Sequence, residues 1–224
     1  SDQFETHFLA GDASFRRYAR IKLNNKTFML MDAPPEKEDC VPFVTIDEFF
    51  DTNGVRVPHI VAKDLEQGFL LLEDFGDVLL STQLDDKTVD AHYEQSFKQL
   101  IQLQSIDGEG HFPAYSYEKL MTEMSLLTDW LLPSLQIQPS DDESALIKRT
   151  FAILANAALA QPQVIVHRDF HSRNLMLLAD EQEQGVIDFQ DAVIGADTYD
   201  LISITRDAYV QWSPERLSLI HISE

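Results

Sequence analysis

The segment His167-Arg168-Asp169-Phe170-His171-Ser172-Arg173-Asn174 is followed, about one hairpin later, by Ile187-Asp188-Phe189-Gln190. An apolar strand predicted at 164–166 leads into the first segment and would hold Asp169 in a fixed position. There, Asp169 can accept a proton from a hydroxyl group, Asn174 can reach a metal ion, and Asp188 can chelate Mg²⁺ beneath nucleotide phosphates. Few other chemistries need this combination, so the sequence predicts a phosphoryl-transfer site.

The composition is that of an ordinary globular protein, and its charge restricts the partners that we expect. The 224 residues are 44% hydrophobic, which is enough for one large domain or two small lobes. With 38 acidic against 17 basic residues, the formal net charge is −21. Such a surface repels nucleic acid and anionic membranes, so neither is predicted as a partner. A bound nucleotide, itself an anion, would need Mg²⁺ and local arginine or lysine side chains.

Cysteine usage and hydropathy favour a cytoplasmic protein. Cys40 is the only cysteine, so the chain can form neither an internal disulfide nor a cysteine metal cluster. No uninterrupted apolar run is long enough to span a bilayer, and the first residues do not resemble a signal peptide. We therefore expect a reducing, cytoplasmic environment. The sequence does not indicate an oligomeric state.

The pattern of apolar residues predicts a β-rich first third and a helical remainder. Strands are expected at 15–23, 27–31, 55–62 and 67–72, with one short helix at 43–51. The segment 73–77 breaks this pattern, and we interpret it as a hinge. The predicted fold is therefore α+β with two lobes: a β-rich, nucleotide-binding N-lobe at 1–76 and a mostly helical C-lobe at 77–224 that carries the catalytic and metal loops.

Helical periodicity dominates after the hinge. Helices are predicted at 87–105, 117–132, 141–159 and 198–210, the third with Asp141 or Asp142 as its N-cap. A β pair is expected at 174–178 and 185–189, around a polar turn. This pair would direct the amide of Asn174 back toward Asp188.

Two segments of the N-lobe are candidates for contact with a nucleotide. The stretch 11–17 could close over phosphates through its backbone N–H groups, with Ser14, Arg16 and Arg17 as the candidate residues. With a single glycine, the same stretch is equally consistent with an ordinary turn. Glu73 and Phe75 follow an apolar run and would offer hinge backbone groups to the edge of an adenine ring.

Three polar residues near the predicted site could have either a structural role or a chemical role. His167 is expected to pack and to bond to the backbone, and Asp200 to tie the last helix to the backbone of the catalytic loop. Asp188 could bind a metal or cap a turn. Its position at the end of a buried strand favours the metal, because an unpaired buried carboxylate is costly.

Together these residues resemble the aminoglycoside phosphotransferase family, which are small-molecule kinases with the protein-kinase fold. The resemblance is specific at His167-x-Asp169-x-x-x-x-Asn174, at Ile187-Asp188-Phe189 and at Gly195-x-x-x-x-Asp200-Leu201. Within the family, the chain is most similar to a bacterial cell-wall-recycling branch of anomeric sugar kinases. That similarity covers nearly the whole chain and is carried by 12–18, 31–36, 64–72, 167–176, 185–192 and 198–201.

The resemblance implies an activity and its cofactors. An enzyme of this branch would use ATP and Mg²⁺ to phosphorylate the anomeric C1 hydroxyl of N-acetylmuramate or N-acetylglucosamine in peptidoglycan recycling. Asp169 would be the catalytic base, and Asn174 and Asp188 would be the metal ligands. The expected partner is then a small-molecule amino sugar. By the same resemblance, acceptors would bind in the region of Glu123, Trp130 and Trp212, although residues of these types more often serve core or surface packing.

The chain departs from the family pattern at two places. Many kinases hold nucleotide phosphates with a lysine of the third strand that pairs with a helix glutamate. Here Met31 stands at the lysine position, and the helix offers Glu48. Arg16 or Arg17 is the candidate to replace that lysine. The second departure is the segment 217–224, which does not resemble the family, so we expect a truncated C-lobe with about eight non-native residues at its end.

Two other functions remain open on the sequence. One is a broader kinase of the same family that acts on an aminoglycoside, choline or homoserine, and the acidic surface would suit such a cationic acceptor. The other is a nucleotide-binding pseudokinase that serves as a scaffold. The missing lysine favours the scaffold, whereas the presence of Asp169, Asn174 and Asp188 opposes it.

Overall fold

A computed structural model describes residues 5–9, 15–23, 25–179 and 183–216. The first part of the chain forms a five-stranded antiparallel sheet in the order β1-β2-β3-β5-β4. Its strands are β1 Glu5–Phe8, β2 Arg17–Leu23, β3 Lys26–Asp32, β4 Ile60–Asp64 and β5 Phe69–Glu73. The predicted β2–β3 hairpin and the predicted strand at β5 are therefore confirmed, and β1 is an additional strand.

The strand predicted at 55–62 is shorter than expected. β4 begins only at Ile60, whereas Val55 and Val57 are buried in irregular backbone. Pro58 explains the difference, because it has no N–H to donate to a ladder and restricts the residue before it. Val55 and Val57 are therefore buried, but the first half of the predicted strand lies outside the sheet.

Helix α1, Val41–Thr52, lies between β3 and β4 in the chain and packs against the segment around Phe189. It contains the predicted helix at 43–51 and has a proline in its first turn, where the missing N–H costs nothing. Phe43 and Phe50 lie on one face and pack against Phe189, with ring centroids 5.0 and 5.8 Å apart. This contact sets α1 against the segment that carries Asp188.

The remainder of the chain is mostly helical, as predicted. Its helices are α2 Val89–Ser105, α3 Tyr117–Leu126, α4 Leu132–Ser134, α5 Asp141–Leu159 and α6 Thr198–Thr205, with a short 3₁₀ turn at Leu80–Thr82. None of the helices in the described ranges has the length and apolar character needed to cross a bilayer.

Three helix predictions need correction. The helix predicted at 117–132 is interrupted by a π-helical segment, Leu127–Leu131, ahead of Pro133, whose ring cannot fit regular helix packing. The N-cap of α5 is Ser140, which forms a capping box with Glu143, and not Asp141 or Asp142. The last helix ends at Thr205 instead of 210, because Asp207 turns the chain back toward Ser172.

Two small antiparallel pairs of strands flank the loops at 167–174 and 187–192. Strand β6, Gln163–Val166, pairs with β9, Val193–Ala196, and β7, Leu175–Leu177, pairs with β8, Gln184–Val186. The β7–β8 pair was predicted at 174–178 and 185–189, so β8 begins one residue earlier and ends three residues earlier than predicted. Strand β9 was not predicted. One hydrophobic cluster runs from the sheet through α1 into this region and includes Met31, Phe50, Leu70, Leu175, Phe189 and Ile204.

Candidate active site

A cleft of about 550 Å³ separates the sheet from the helical part of the chain. Its apolar walls come mainly from Tyr18, Met29 and Leu72 on the sheet side and from Met176 and Ile187 on the other. The segment Glu73–Gly76 closes one side. The cleft therefore lies at the predicted hinge and is open to residues from both halves of the chain.

The loop after β6 carries a histidine that serves structure. His167 is fully buried, and its Nε2 lies 3.0 Å from the carbonyl oxygen of Ile187. Burial lowers the pKa of His167 to about 4. A neutral ring bonded to the backbone ahead of Asp188 fits the structural role predicted for this residue.

Asp200 anchors the same loop from α6. Its carboxylate accepts hydrogen bonds from the backbone N–H groups of His167 at 2.6 Å and of Arg168 at 3.1 Å. Burial raises the pKa of Asp200 to about 7, and the two N–H donors act in the opposite direction. Asp200 therefore fixes the backbone of the loop, as predicted, and is not part of the described lining of the cleft.

The structure brings Asp169, Asn174 and Asp188 together in the wall of the cleft. The amide nitrogen of Asn174 donates to the backbone oxygen of Asp169 at 3.0 Å and lies 3.4 Å from Oδ2 of Asp188. Gln190 donates to the other oxygen of Asp188 at 2.8 Å. Asp188 has a φ of 64°, a conformation that is strained for a non-glycine residue and is concentrated at functional sites.

The oxygen donors of Asn174 and Asp188 fit a magnesium ion. Mg²⁺ takes hard oxygen ligands, and it commonly uses one or two carboxylates while water and phosphate oxygens complete its shell. Among the described residues, no group of three or more His, Cys, Asp or Glu side chains could hold an ion by itself. A metal at this place would thus depend on a phosphate ligand as well as on the protein.

The hinge residues Glu73 and Phe75 line the cleft, but their side chains have other partners. Glu73 binds Arg56 through both oxygens, at 2.6 and 2.7 Å, and this pairing lowers the pKa of its carboxyl. The Phe75 ring lies beneath the guanidinium of Arg56 at 4.6 Å and against Gly185, where an added Cβ would come within 2.2 Å of it. The hinge is fixed by these contacts, and its backbone is what it can offer to a ligand.

Arg16 and Arg17, two of the three residues predicted to hold phosphates, have partners outside the described lining of the cleft. Arg17 is paired with Asp32 on the sheet. Arg16 lies 3.6 Å from Glu38 and 5.9 Å from the ring of Phe43. Neither arginine is part of the described lining of the cleft, and Ser14 lies outside the described residues. Their assignment to a nucleotide stays a prediction.

Among the described residues, Met31 and Glu48 do not reproduce the lysine–glutamate pair of other kinases. Met31 is fully buried, and Met29, two residues earlier on the same face of β3, lines the cleft. Glu48 points away and pairs with Lys63. The buried carboxylate of α1 is instead Asp47, which is 1% exposed and whose Oδ2 has no hydrogen-bond partner in the described part of the chain.

Asp47 was not selected from the sequence, although its spacing from apolar residues indicates that it is buried. It lies four residues after Phe43 and three before Phe50, which puts all three on one helical face. Burial, with a smaller effect from Asp51 and Glu48, raises the pKa of Asp47 to about 8. A protonated acid therefore faces the interior of the molecule from α1.

The three residues suggested for the acceptor region have different environments. Glu123 binds the guanidinium of Arg168 at 2.8 Å and accepts a hydrogen bond from the hydroxyl of Tyr115. Trp130 is 73% exposed on the π-helical segment, and the partly buried Trp212 donates to the hydroxyl of Tyr93 at 2.8 Å at the edge of the core. Only Glu123 is connected to the catalytic loop, through Arg168.

Arg173 and Tyr209 are among the residues that line the cleft but were not selected from the sequence. Arg173 directly precedes Asn174, and Tyr209 follows α6. Arg173 stood within the quoted motif, so a signal for it was present. Tyr209 reaches the cleft through the turn at Asp207, which no local pattern predicted.

Comparison with known proteins agrees with this geometry. Residues 5–221 match the profile described as "Phosphotransferase enzyme family". The chain is 42% identical over 209 residues to N-acetylmuramate/N-acetylglucosamine kinase of Pseudomonas aeruginosa, a match that covers 93% of this chain and 61% of the relative. It is 36% identical over 218 residues to the protein of the same name from Neisseria meningitidis serogroup B, covering 95% and 64%. The chain thus spans less than two thirds of the length of these curated relatives.

Solved structures confirm the predicted two-lobed, protein-kinase-like fold. The ADP-bound aminoglycoside phosphotransferase APH(2'')-Ib is 19% identical, with a TM-score of 0.66 over 96% of this chain and 75% of that one. An ethanolamine kinase of Plasmodium vivax is 14% identical, with a TM-score of 0.61 over 99% of this chain and 68% of that one. At such identities the likeness concerns the fold.

Proposed function

The chain belongs to the phosphotransferase enzyme family, and we propose that it is part of an ATP-dependent sugar kinase. The reaction would transfer the terminal phosphoryl group of ATP to the anomeric C1 hydroxyl of N-acetylmuramate or N-acetylglucosamine, as a cytoplasmic step of peptidoglycan recycling. The observation that carries the proposal is the convergence of Asp169, Asn174 and Asp188 in one cleft. The names of the relatives supply the acceptor.

Asp169 is proposed as the base that receives the proton of the acceptor hydroxyl. Its backbone is held from two sides, since its carbonyl oxygen accepts from Asn174 and the two preceding N–H groups donate to Asp200. A base fixed in this way lies at a constant distance from the attacking oxygen, which is where general-base catalysis gains its advantage. The acceptor would approach from the open side of the cleft.

Asn174 and Asp188 are proposed to hold Mg²⁺ against the nucleotide. When bound there, Mg²⁺ neutralises charge on the phosphates and orients the terminal group for in-line attack. The contribution of the protein is orientation: Gln190 binds one oxygen of Asp188, and Asn174 lies beside the other.

The adenine ring is proposed to lie between the apolar walls, next to the hinge. Tyr18, Met29 and Leu72 offer one face, and Met176 and Ile187 offer the other. The backbone of 73–75 would read the edge of the ring, as in other kinases of this fold. On this proposal, 1–76 form the nucleotide-binding lobe and 77–224 carry the catalytic and metal loops.

One alternative acceptor class has a specific observation in its favour. The net charge of −21 would attract a polycation such as an aminoglycoside. A scaffold without catalysis is the third possibility, supported by buried Met31 at the lysine position. Both alternatives keep the same nucleotide site and differ in the step that comes after nucleotide binding.

The deciding assay is ATP consumption by the whole protein with N-acetylmuramate, N-acetylglucosamine and kanamycin in parallel. The proposal expects turnover that depends on either amino sugar and none with kanamycin. Turnover with kanamycin alone would move the function to the aminoglycoside class. Binding of Mg-ATP without turnover on any acceptor would favour the scaffold.

A further inference from the structure

The wall of the cleft near Asp169 contains an arginine without an acidic partner. Arg173 lines the cleft, and its guanidinium carbon lies 4.6 Å from the centroid of the Tyr209 ring. Tyr209 lines the same cleft and is 54% exposed. Within the described ranges, Arg173 forms no ion pair with a carboxylate. An arginine on an aromatic platform, facing open space, is arranged to receive a ligand.

The Tyr209 ring, which we call the platform, is held in place by contacts with buried parts of the chain. Asp207 is 8% exposed, and its two oxygens accept from the backbone N–H of Ser172 at 2.8 Å and of Tyr209 at 2.7 Å. One buried carboxylate thus fixes both the loop before Arg173 and the segment that carries Tyr209. The ring of His171 packs edge-on against Tyr209, with centroids 5.1 Å apart.

Arg173 and Asn174 are neighbours that turn to different partners. The amide of Asn174 faces Asp188, where the metal and the phosphates are expected. The guanidinium of Arg173 instead faces Tyr209, which belongs to the helical part of the chain. The contact of Arg173 with Tyr209 is therefore separate from the contact between Asn174 and the proposed metal carboxylate, Asp188.

The charges around the cleft make Arg173 distinctive. Four carboxylates contribute to the described lining: Glu73, Asp74, Asp169 and Asp188. Arg173 is the one arginine or lysine in that described lining. Other arginines close to the site are already paired: Arg16 with Glu38, Arg20 with Asp74, Arg56 with Glu73 and Arg168 with Glu123. A single free guanidinium among carboxylates selects for a ligand that presents negative charge at that point.

We propose that Arg173, held on Tyr209, recognises a carboxylate carried by the acceptor sugar. The inference rests on the proposed function and deepens it by naming a specificity determinant. N-acetylmuramate carries a lactyl carboxylate that N-acetylglucosamine lacks, and the planar guanidinium can bind both oxygens of such a group. The exposed ring of Tyr209 offers a surface for the apolar face of the sugar. The same arginine disfavours a polycationic acceptor.

The test compares the two sugars on the whole protein by isothermal titration, with a non-hydrolysable ATP analogue and Mg²⁺ present. Arg173→Ala is expected to weaken binding of N-acetylmuramate about tenfold or more, as for loss of a charged hydrogen bond. Binding of N-acetylglucosamine should change by less than about twofold, because no carboxylate is present to lose its partner. Arg149→Ala, which removes an exposed arginine of α5 outside the cleft, should leave both affinities unchanged.

A second pair of variants tests the platform. Tyr209→Phe keeps the ring and should retain the preference for N-acetylmuramate, whereas Tyr209→Leu removes the ring and should lose part of it. An equal loss for both sugars in Arg173→Ala, or no loss for either, overturns this inference and leaves the proposed function standing. Weaker binding of the ATP analogue in Arg173→Ala also overturns it and assigns Arg173 to the nucleotide phosphates. If the wild-type protein binds the nucleotide but neither sugar, the proposed function falls, and this inference with it.

Discussion

Asp200 and His167 are joined by a short hydrogen bond, in which the backbone N–H of His167 donates to Oδ2 of Asp200 at 2.6 Å. The two residues are far apart in the chain, and the bond fixes the start of the catalytic loop to the first turn of α6. Because the neighbouring N–H of Arg168 uses the other oxygen, the loop is held at two consecutive points. The position of Asp169 in the cleft depends on this anchor.

Replacing Asp200 with Asn should loosen the catalytic loop. The amide can accept only one of the two hydrogen bonds and turns an N–H₂ group toward the other donor, so one buried backbone N–H loses its partner. We expect a loss of about 1–3 kcal/mol in the free energy of unfolding. Turnover should fall while the affinity for ATP is retained, because the hinge does not contact Asp200. Denaturant unfolding together with nucleotide titration measures both effects. A variant as stable and as active as the wild type would show that the anchor is unnecessary.

Asp47 should make the stability of the protein depend on pH. Burial raises the pKa of Asp47 to about 8 from the ordinary 3.8, so the folded state holds this proton more tightly than the unfolded state. Its contribution to stability is therefore largest in acid and falls as the pH rises from about 4 to about 8. Asp47→Asn removes the titration. At pH above 8, this variant should be more stable than the wild type by about 1 kcal/mol or more.

The measurement for Asp47 is the unfolding free energy of both proteins across that pH range. Taking the difference between them cancels the titration of all other groups. Glu48→Gln, which alters an exposed neighbour paired with Lys63, serves as the control and should show no gain at high pH. Parallel pH profiles for wild type and Asp47→Asn would contradict the burial of an unpaired acid at this position.

Gly185 should be intolerant of a side chain because of Phe75. A Cβ at position 185 would lie 2.2 Å from the Phe75 ring. Gly185→Ala should therefore displace Phe75 from the cleft, cost about 1–3 kcal/mol of stability through overpacking, and weaken ATP binding. The double variant Gly185→Ala/Phe75→Leu should recover part of the lost stability, since the smaller side chain relieves the contact. Additive losses in the double variant would refute the clash.

Asp188→Ala should abolish the dependence of nucleotide binding on Mg²⁺. Without the carboxylate, the affinity for ATP should be the same with Mg²⁺ and with a chelator. Asp191→Ala is the matched control, because Asp191 is 67% exposed at its side chain and does not line the cleft. Titration of ATP in both conditions measures the effect. Retention of the Mg²⁺ dependence in Asp188→Ala would remove this residue as a metal ligand.

The sequence predicted those parts of the fold and site that depend on local pattern. The motif from His167 to Asn174 and the spacing to Asp188 require one loop and one hairpin, so their convergence could be inferred from the spacing alone. The N-terminal hairpin was predictable for the same reason, since alternation and a turn define it. The structural role predicted for Asp200, which ties the last helix to the backbone of the loop, agrees with its two hydrogen bonds.

The remaining features depend on packing between distant residues, which a single sequence does not encode visibly. Arg173 and Tyr209 meet only because the chain turns at Asp207 after α6. Asp47 is buried only because its helix packs on Phe189 through Phe43 and Phe50. Arg17 looked suited to phosphates, yet it pairs with Asp32 across the hairpin. In each case the decisive contact is made with a residue of another helix, strand or turn.

The central claim is that Asp169 activates the anomeric hydroxyl of an amino sugar for attack on ATP. The most direct measurement is ³¹P NMR of the product formed from N-acetylmuramate, ATP and Mg²⁺ by the whole protein and by its Asp169→Asn variant. The account predicts an acid-labile sugar 1-phosphate from the wild type. The variant should form none while still binding ATP. A phosphate on another hydroxyl, or the same product at the same rate from Asp169→Asn, would contradict it.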